Sequence, residues 1–171
     1  FQHEVRGSLR VACPRPLGQR HLVPLITEFT RLHPLVEVTL LVEDRMADLV
    51  AEQMDVAIRA ANLEDSTLVA RKLADNPRVL VASTAYLGRA GVPLTPHDLT
   101  QHDCLLWTRD NRVYDEWPFT LKGVTTRVRV QGRIHVNDGM ALAATACAGA
   151  GITVLDRLLV EQELSSGELV A

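Results

Sequence analysis

Leu9-Arg10-Val11-Ala12-Cys13-Pro14-Arg15-Pro16-Leu17-Gly18 opens the stretch whose reading decides the fold. Its first five residues alternate in the manner of a strand, and the prolines then break it. Leu22, Leu25, Ile26, Phe29 and Leu32 follow at helical spacing and predict one apolar helix face. Pro24 lies inside that run, so it should kink the helix or mark its first turns, and Pro34 should end it. Val36, Val38, Leu40 and Val42 then alternate with Glu37, Thr39 and Leu41, which predicts a second strand. Met46 to Gln53 reads as a short helix with Asp44 as its N-cap, and Val56-Ala57-Ile58 as a short buried strand. The order β-α-β-α-β with short apolar strands implies a parallel sheet covered on both faces.

Working outward, Leu68–Leu73 and Arg78–Ala82 read as strands, separated by Asp75-Asn76-Pro77, where the chain should cross into a second lobe. Thr84–Leu87 is a short helix closed by Gly88 and Gly91, and Cys104–Trp107 is a strand. Trp117–Leu121, Thr125–Val130 and Arg133–Val136 predict a small meander with turns at Gly123 and Gly132. Asp138–Ala148 is an alanine-rich helix able to pack closely on a sheet, Ile152–Leu155 a strand, and Asp156–Leu164 a last helix. The expected division is a linker stub over 1–7, a first lobe over 8–74 and a second over 75–171.

Composition narrows the function. With 47% hydrophobic and 23% charged residues the chain is globular, and with 4% aromatics its core must be aliphatic. A net charge of −3 is the wrong sign for a free-standing nucleic-acid binder. The basic cluster Arg127, Arg129 and Arg133 reads as one solvated strand face. Three widely spaced cysteines, Cys13, Cys104 and Cys147, form no disulfide framework and suit a reducing, cytoplasmic setting. No apolar run approaches the roughly 20 residues of a membrane span, and Phe1–Arg6 does not read as a signal peptide.

Catalytic and metal chemistry find little support. The six histidines make no H-x-x-x-H or H-E-x-x-H spacing and the cysteines no C-x-x-C. His102 and Cys104 share one strand face, without further ligands fixed near them. Cys147 sits among alanines as a small core residue, and Cys13, at a strand end, has no assignable base. Gly149-Ala150-Gly151 follows a helix and reads as its C-terminal turn rather than a phosphate loop. No enzyme, cofactor or metal site is therefore expected. What remains is positional. Ligands of open α/β sheets bind beyond the carboxyl ends of the strands. Arg15, Arg59 and Asn137-Asp138 all fall at such ends, which favours a small anionic ligand. The plainer reading pairs Arg59 with Asp55 or Glu64 and leaves Asp138 as an N-cap.

Several stretches, in order, resemble the effector-binding domain of LysR-type transcriptional regulators. They are Gly18-Gln19-Arg20-His21-Leu22-Val23-Pro24-Leu25, with Phe29 and His33-Pro34, then Asp55-Val56-Ala57-Ile58-Arg59 and Leu68-Val69-Ala70-Arg71-Lys72-Leu73. Val81-Ala82-Ser83, Tyr86-Leu87, Gly91, Pro93, His102-Asp103-Cys104-Leu105, Val136-Asn137-Asp138 and Gly149-Ala150-Gly151-Ile152 complete the series. The resemblance runs from about Gly7 to Ala171 and rests on order and spacing together. It implies an α/β fold of two Rossmann-like lobes, periplasmic-binding-protein-like, with an effector in the interlobe cleft. It also implies homodimers that pair into tetramers, and a winged helix-turn-helix ahead of Phe1 as the only DNA-binding part. The family's last strand and helix would follow Ala171. Ligand positions carried over are Pro14 to Leu17 (with Arg15, Pro16 and Leu17 in the site), Val42-Glu43 with Glu43 in the site, Arg59, Asn137 and Asp138. Two departures stand out: Arg15-Pro16 replaces the small or hydroxyl residues common in relatives, and Asp156 replaces a proline. The rival readings are a transporter's solute-binding protein, an enzyme on a similar fold, and a pure dimerisation module.

Overall fold

A computed structural model describes residues 4–43, 52–60 and 69–171. The chain divides into two compact units, Phe1–Asp75 and Asn76–Ala171.

In the first unit, β1 (Arg6–Cys13) lies between β2 (Leu35–Val42) and β3 (Val56–Ala57). All three strands are parallel, with Cys13 opposite Val42 and Ala12 opposite Ala57. The expected five-residue break after β1 is shorter than read. Only Pro14 is extended, and helix α1 (Arg15–Leu17) begins at once. Pro16 suits a first helical turn, where its fixed φ fits and its missing N–H would go unbonded anyway. A π-helical turn (Gly18–Leu22) leads into α2 (Val23–Leu32). Here Val23 N–H reaches back five residues to the Gly18 carbonyl. The irregularity stands directly before Pro24, which has no N–H to give the Arg20 carbonyl. Leu22, Ile26 and Phe29 are half-buried, but Leu25 and Leu32, expected on the same face, are exposed.

Two expectations for this unit fail or fall outside the described residues. Val69–Leu73 has no regular structure where a strand was expected, and its Leu68 is not described. Of the expected helix Met46–Gln53, only Glu52 and Gln53 are described, in a turn, and its cap Asp44 is not described.

The second unit has a mixed sheet. Strand β4 (Arg78–Ser83) is followed by α3 (Thr84–Ala90), capped by the Ser83 side chain. A 3-10 turn (Pro96–Gln101) precedes β5 (Leu105–Arg109), β6 (Arg112–Tyr114), β7 (Glu116–Leu121), β8 (Val124–Arg129) and β9 (Ile134–Val136). Helix α4 (Gly139–Cys147), β10 (Thr153–Asp156), a 3-10 turn (Arg157–Leu159), α5 (Glu161–Ser166) and β11 (Leu169–Val170) complete it. The expected last helix thus starts later, because β10 continues to Asp156. Strand β4 lies between antiparallel β10 and β11. Strand β5 lies between antiparallel β6 and parallel β9, and a parallel bridge from Cys104 to Ile152 ties it to β10.

The expected meander is therefore wrong in its third strand. Strands β7 and β8 form a hairpin on their own, and β9 leaves it to pair with β5. Alternation along the strands splits the core. Val81, Leu105 and Leu155 pack with Leu142, Ala143 and Ala146 of α4 on one face. Ala82, Leu106 and Ile152 pack with Tyr86 of α3 and with Trp117 and Val128 of the hairpin on the other.

Candidate functional site

The parallel strands of the first unit end nearly level, so the residues that follow them share one sheet edge. Glu43 N–H donates to the Cys13 carbonyl at 3.1 Å, and Ile58 N–H to the Ala12 carbonyl at 2.9 Å. Arg15, Pro16 and Leu17 leave β1, Glu43 leaves β2 and Arg59 follows β3 at this carboxyl edge. Arg15 is exposed and the other four are half-buried. Gly18 lets the helix approach the strands: a Cβ there would lie 2.9 Å from Cys13 Sγ and 3.0 Å from a Val42 methyl. Asp55 fastens β3 to β1, its backbone N–H donating to the Arg10 carbonyl and its carboxylate accepting from Arg10 N–H at 2.8 Å.

In the second unit Asn137 and Asp138 follow the carboxyl end of β9. Asp138 accepts a hydrogen bond from Ala141 N–H at 2.8 Å and caps α4, the plainer of its two readings. Asn137 is exposed. Gly149 takes a left-handed conformation (φ 79°) after α4, so Gly149-Ala150-Gly151 is the helix C-terminal turn that was read. Arg127 pairs with Glu116 at 3.2 Å and Arg129 with Asp115 at 3.6 Å on exposed hairpin positions. Arg133 lies beyond β8 and does not belong to that strand face.

Sequence reading missed a polar network around Tyr86. The Asp103 N–H donates to the Tyr86 hydroxyl at 2.9 Å, and that hydroxyl faces His102 Nδ1 at 3.1 Å. With Asp103 as donor, the Tyr86 proton is available to His102 Nδ1. Arg89 lies over the Tyr86 ring and donates to the Gly149 carbonyl at 2.9 Å. Burial raises the Tyr86 pKa above its ordinary value. The same effect pushes the Cys104 thiol up to about 12, so it stays protonated near neutral pH. Among the described residues no cluster of His, Cys, Asp or Glu could hold a metal ion. Tyr86 and His102-Asp103 stand out in the sequence by position only; nothing local couples them.

The family model of the LysR substrate binding domain matches residues 2–171. The chain belongs to the LysR substrate binding domain family. It is 36% identical over 174 residues to the HTH-type transcriptional regulator PtxR of Pseudomonas aeruginosa, covering 99% of this chain and 54% of that protein. It is 34% identical over 172 residues to the HTH-type transcriptional activator AaeR of Escherichia coli, with the same two coverages. This LysR substrate binding domain thus spans about half the length of these curated relatives. Its fold is similar to the regulatory domain of CrgA, a LysR-type transcriptional regulator from Neisseria meningitidis. The TM-score is 0.82 at 27% identity, over 97% of this chain and 80% of that one. LysR regulatory domains have the two-lobe, periplasmic-binding-protein-like α/β fold that was expected. The family is an effector-binding domain of transcriptional regulators, not an enzyme. Among the described residues no helix is long and apolar enough to cross a membrane.

Proposed function

We propose that this chain is the effector-sensing and oligomerisation domain of a cytoplasmic bacterial regulator, which binds DNA through a separate N-terminal domain. The observation that carries the reading is the LysR substrate binding domain match over residues 2–171. The parallel sheet supports it, with Arg15, Pro16, Leu17, Glu43 and Arg59 gathered at its carboxyl edge. We place the effector against these residues, propose Asn137 and Asp138 as further ligand positions, and expect it to be a small anion held by Arg59 and Arg15. The assembly would be a homodimer or a tetramer of such dimers. The effector would act by population shift, favouring the arrangement of subunits to which it binds more tightly. A transporter's solute-binding protein is not favoured, because the relatives are HTH-type transcriptional regulators.

The test is thermal stabilisation of the 171-residue chain by a panel of small carboxylates and aromatic acids. A ligand at about a hundred times its Kd stabilises the folded state by about 2.7 kcal/mol. Arg59→Ala should abolish most of the shift from an anionic hit while leaving the melting temperature of the unliganded chain close to wild type. An unchanged ligand affinity in Arg59→Ala would remove that residue from the site.

A further inference from the structure

Two cavities of the second unit are lined by none of the residues assigned to the effector. The larger, about 400 Å³, is lined by polar side chains: Thr100, Gln101, His102, Asp103, Gln131 and Arg133. The smaller, about 210 Å³, is lined mainly by apolar groups, with Leu105, Ile134 and Ala150 among them. Asp103 and Arg133 line both, so the two cavities adjoin. They sit where β5 and β9 begin, at the amino edge of this parallel pair. Asn137 and Asp138 follow the far end of β9. From Arg133 to Asn137 the chain advances four residues, or about 13 Å along a strand.

The floor is rigid. Cys104 N–H donates to the Gln131 carbonyl at 2.9 Å, and Ile152 N–H to the Asp103 carbonyl at 2.9 Å. Asp103 N–H is held by the Tyr86 hydroxyl, and the Gly132 carbonyl lies 3.0 Å from His135 Nε2. A Cβ on Gly132 would fall 1.6 Å from the Cys104 carbonyl oxygen, so no other residue allows the two backbones to approach this closely. The backbones that carry Asp103 and Arg133 are therefore positioned before any ligand arrives.

Neither the Asp103 carboxylate nor the Arg133 guanidinium has an ion-pair or hydrogen-bond partner among the described residues. Elsewhere in this unit comparable charges do pair, as in Arg127–Glu116 and Arg129–Asp115. An anion and a cation that line the same two cavities without pairing with each other match a ligand carrying both signs. A bidentate guanidinium suits a carboxylate, and a carboxylate suits an ammonium. The adjoining apolar cavity has room for a short aliphatic group. We propose that these paired cavities bind a zwitterionic amino acid with a small aliphatic side chain. Arg133 takes its α-carboxylate and Asp103 its α-ammonium, while the side chain lies against Leu105, Ile134 and Ala150. The site uses none of the residues assigned to the effector and stands whether or not that assignment does.

The test is calorimetric titration of the 171-residue chain with glycine, L-alanine, L-valine and L-leucine. Saturable binding is expected for at least one aliphatic member. N-acetyl-L-valine, which lacks the ammonium, and isobutylamine, which lacks the carboxylate, should each bind at least about tenfold more weakly than L-valine. Arg133→Gln and Asp103→Asn should each cost about tenfold in affinity, and Arg59→Ala should cost nothing. The two substituted side chains are exposed, so both variants should fold, and circular dichroism checks this. Absence of saturable binding by all four amino acids overturns the proposal. So does affinity that survives Arg133→Gln, or that is lost in Arg59→Ala instead.

Discussion

Gly18 shows how much one missing side chain can decide. Its backbone lies so close to Cys13 and Val42 that a methyl group would overlap both side chains. Gly18→Ala is therefore expected to lower stability by roughly 1–3 kcal/mol, read as a lower urea midpoint with an unchanged slope. Asp156 offers a second residue-level test. Burial raises its pKa, only partly offset by Arg78. A carboxyl whose folded pKa is raised keeps its proton where the unfolded chain has lost it. Its favourable contribution is then full below the ordinary value of 3.8 and disappears as pH rises through the folded value. Asp156→Asn should accordingly raise the denaturation midpoint near neutral pH and flatten its decline between mildly acid and neutral solution, as measured by urea titrations across pH. The φ of −64° at this position is one a proline adopts, so the departure from relatives requires no change of backbone there.

At the scale of elements, the hairpins are set by their turns. Lys122 and Gly123 both have positive φ, 49° and 80°, which is the two-residue turn that matches strand twist. Asp110 and Asn111 do the same between β5 and β6, at 49° and 61°. Lysine tolerates this region poorly, whereas Asn-Gly is the preferred pair. Lys122→Asn should stabilise the chain by roughly 0.5–1 kcal/mol, seen as a higher melting temperature. Elements written by local pattern were legible in the sequence: β1, β2, the Asp138 cap and the turn at Gly123. Elements that depend on distant partners were not. Strand β9 looks like the third strand of a meander, yet its backbone groups are taken by β5. Val69–Leu73 has the apolar content of a strand and pairs with no strand among the described residues. Arg15 and Arg59 could be chosen at the carboxyl edge because strand ends are visible in a sequence, whereas Pro16, Leu17 and Glu43 came only with the family resemblance. The Asp103–Arg133 cavity could not, because the tertiary contacts at Gly132 and Gly151 create it.

At the scale of the whole molecule, each unit has its own logic. The first is a parallel sheet whose carboxyl edge carries Arg15, Pro16, Leu17, Glu43 and Arg59. The second has α4 on one sheet face and α3 with the hairpin on the other. Within it, β4 and β11 are the first and last strands, and they lie side by side in opposite directions, with Ala82 facing Val170. Ala171 therefore stands next to the strand by which the chain entered, about 10 Å along it from Arg78. The stretch from Arg78 to Val170 begins and ends on neighbouring strands, an arrangement that tolerates circular permutation. A version closed from Ala171 to Asn76 by about five residues and opened at the exposed Lys122-Gly123 turn would keep every strand pairing except the link at the hairpin tip. The strand pairings of this unit therefore do not depend on the order in which the chain visits them.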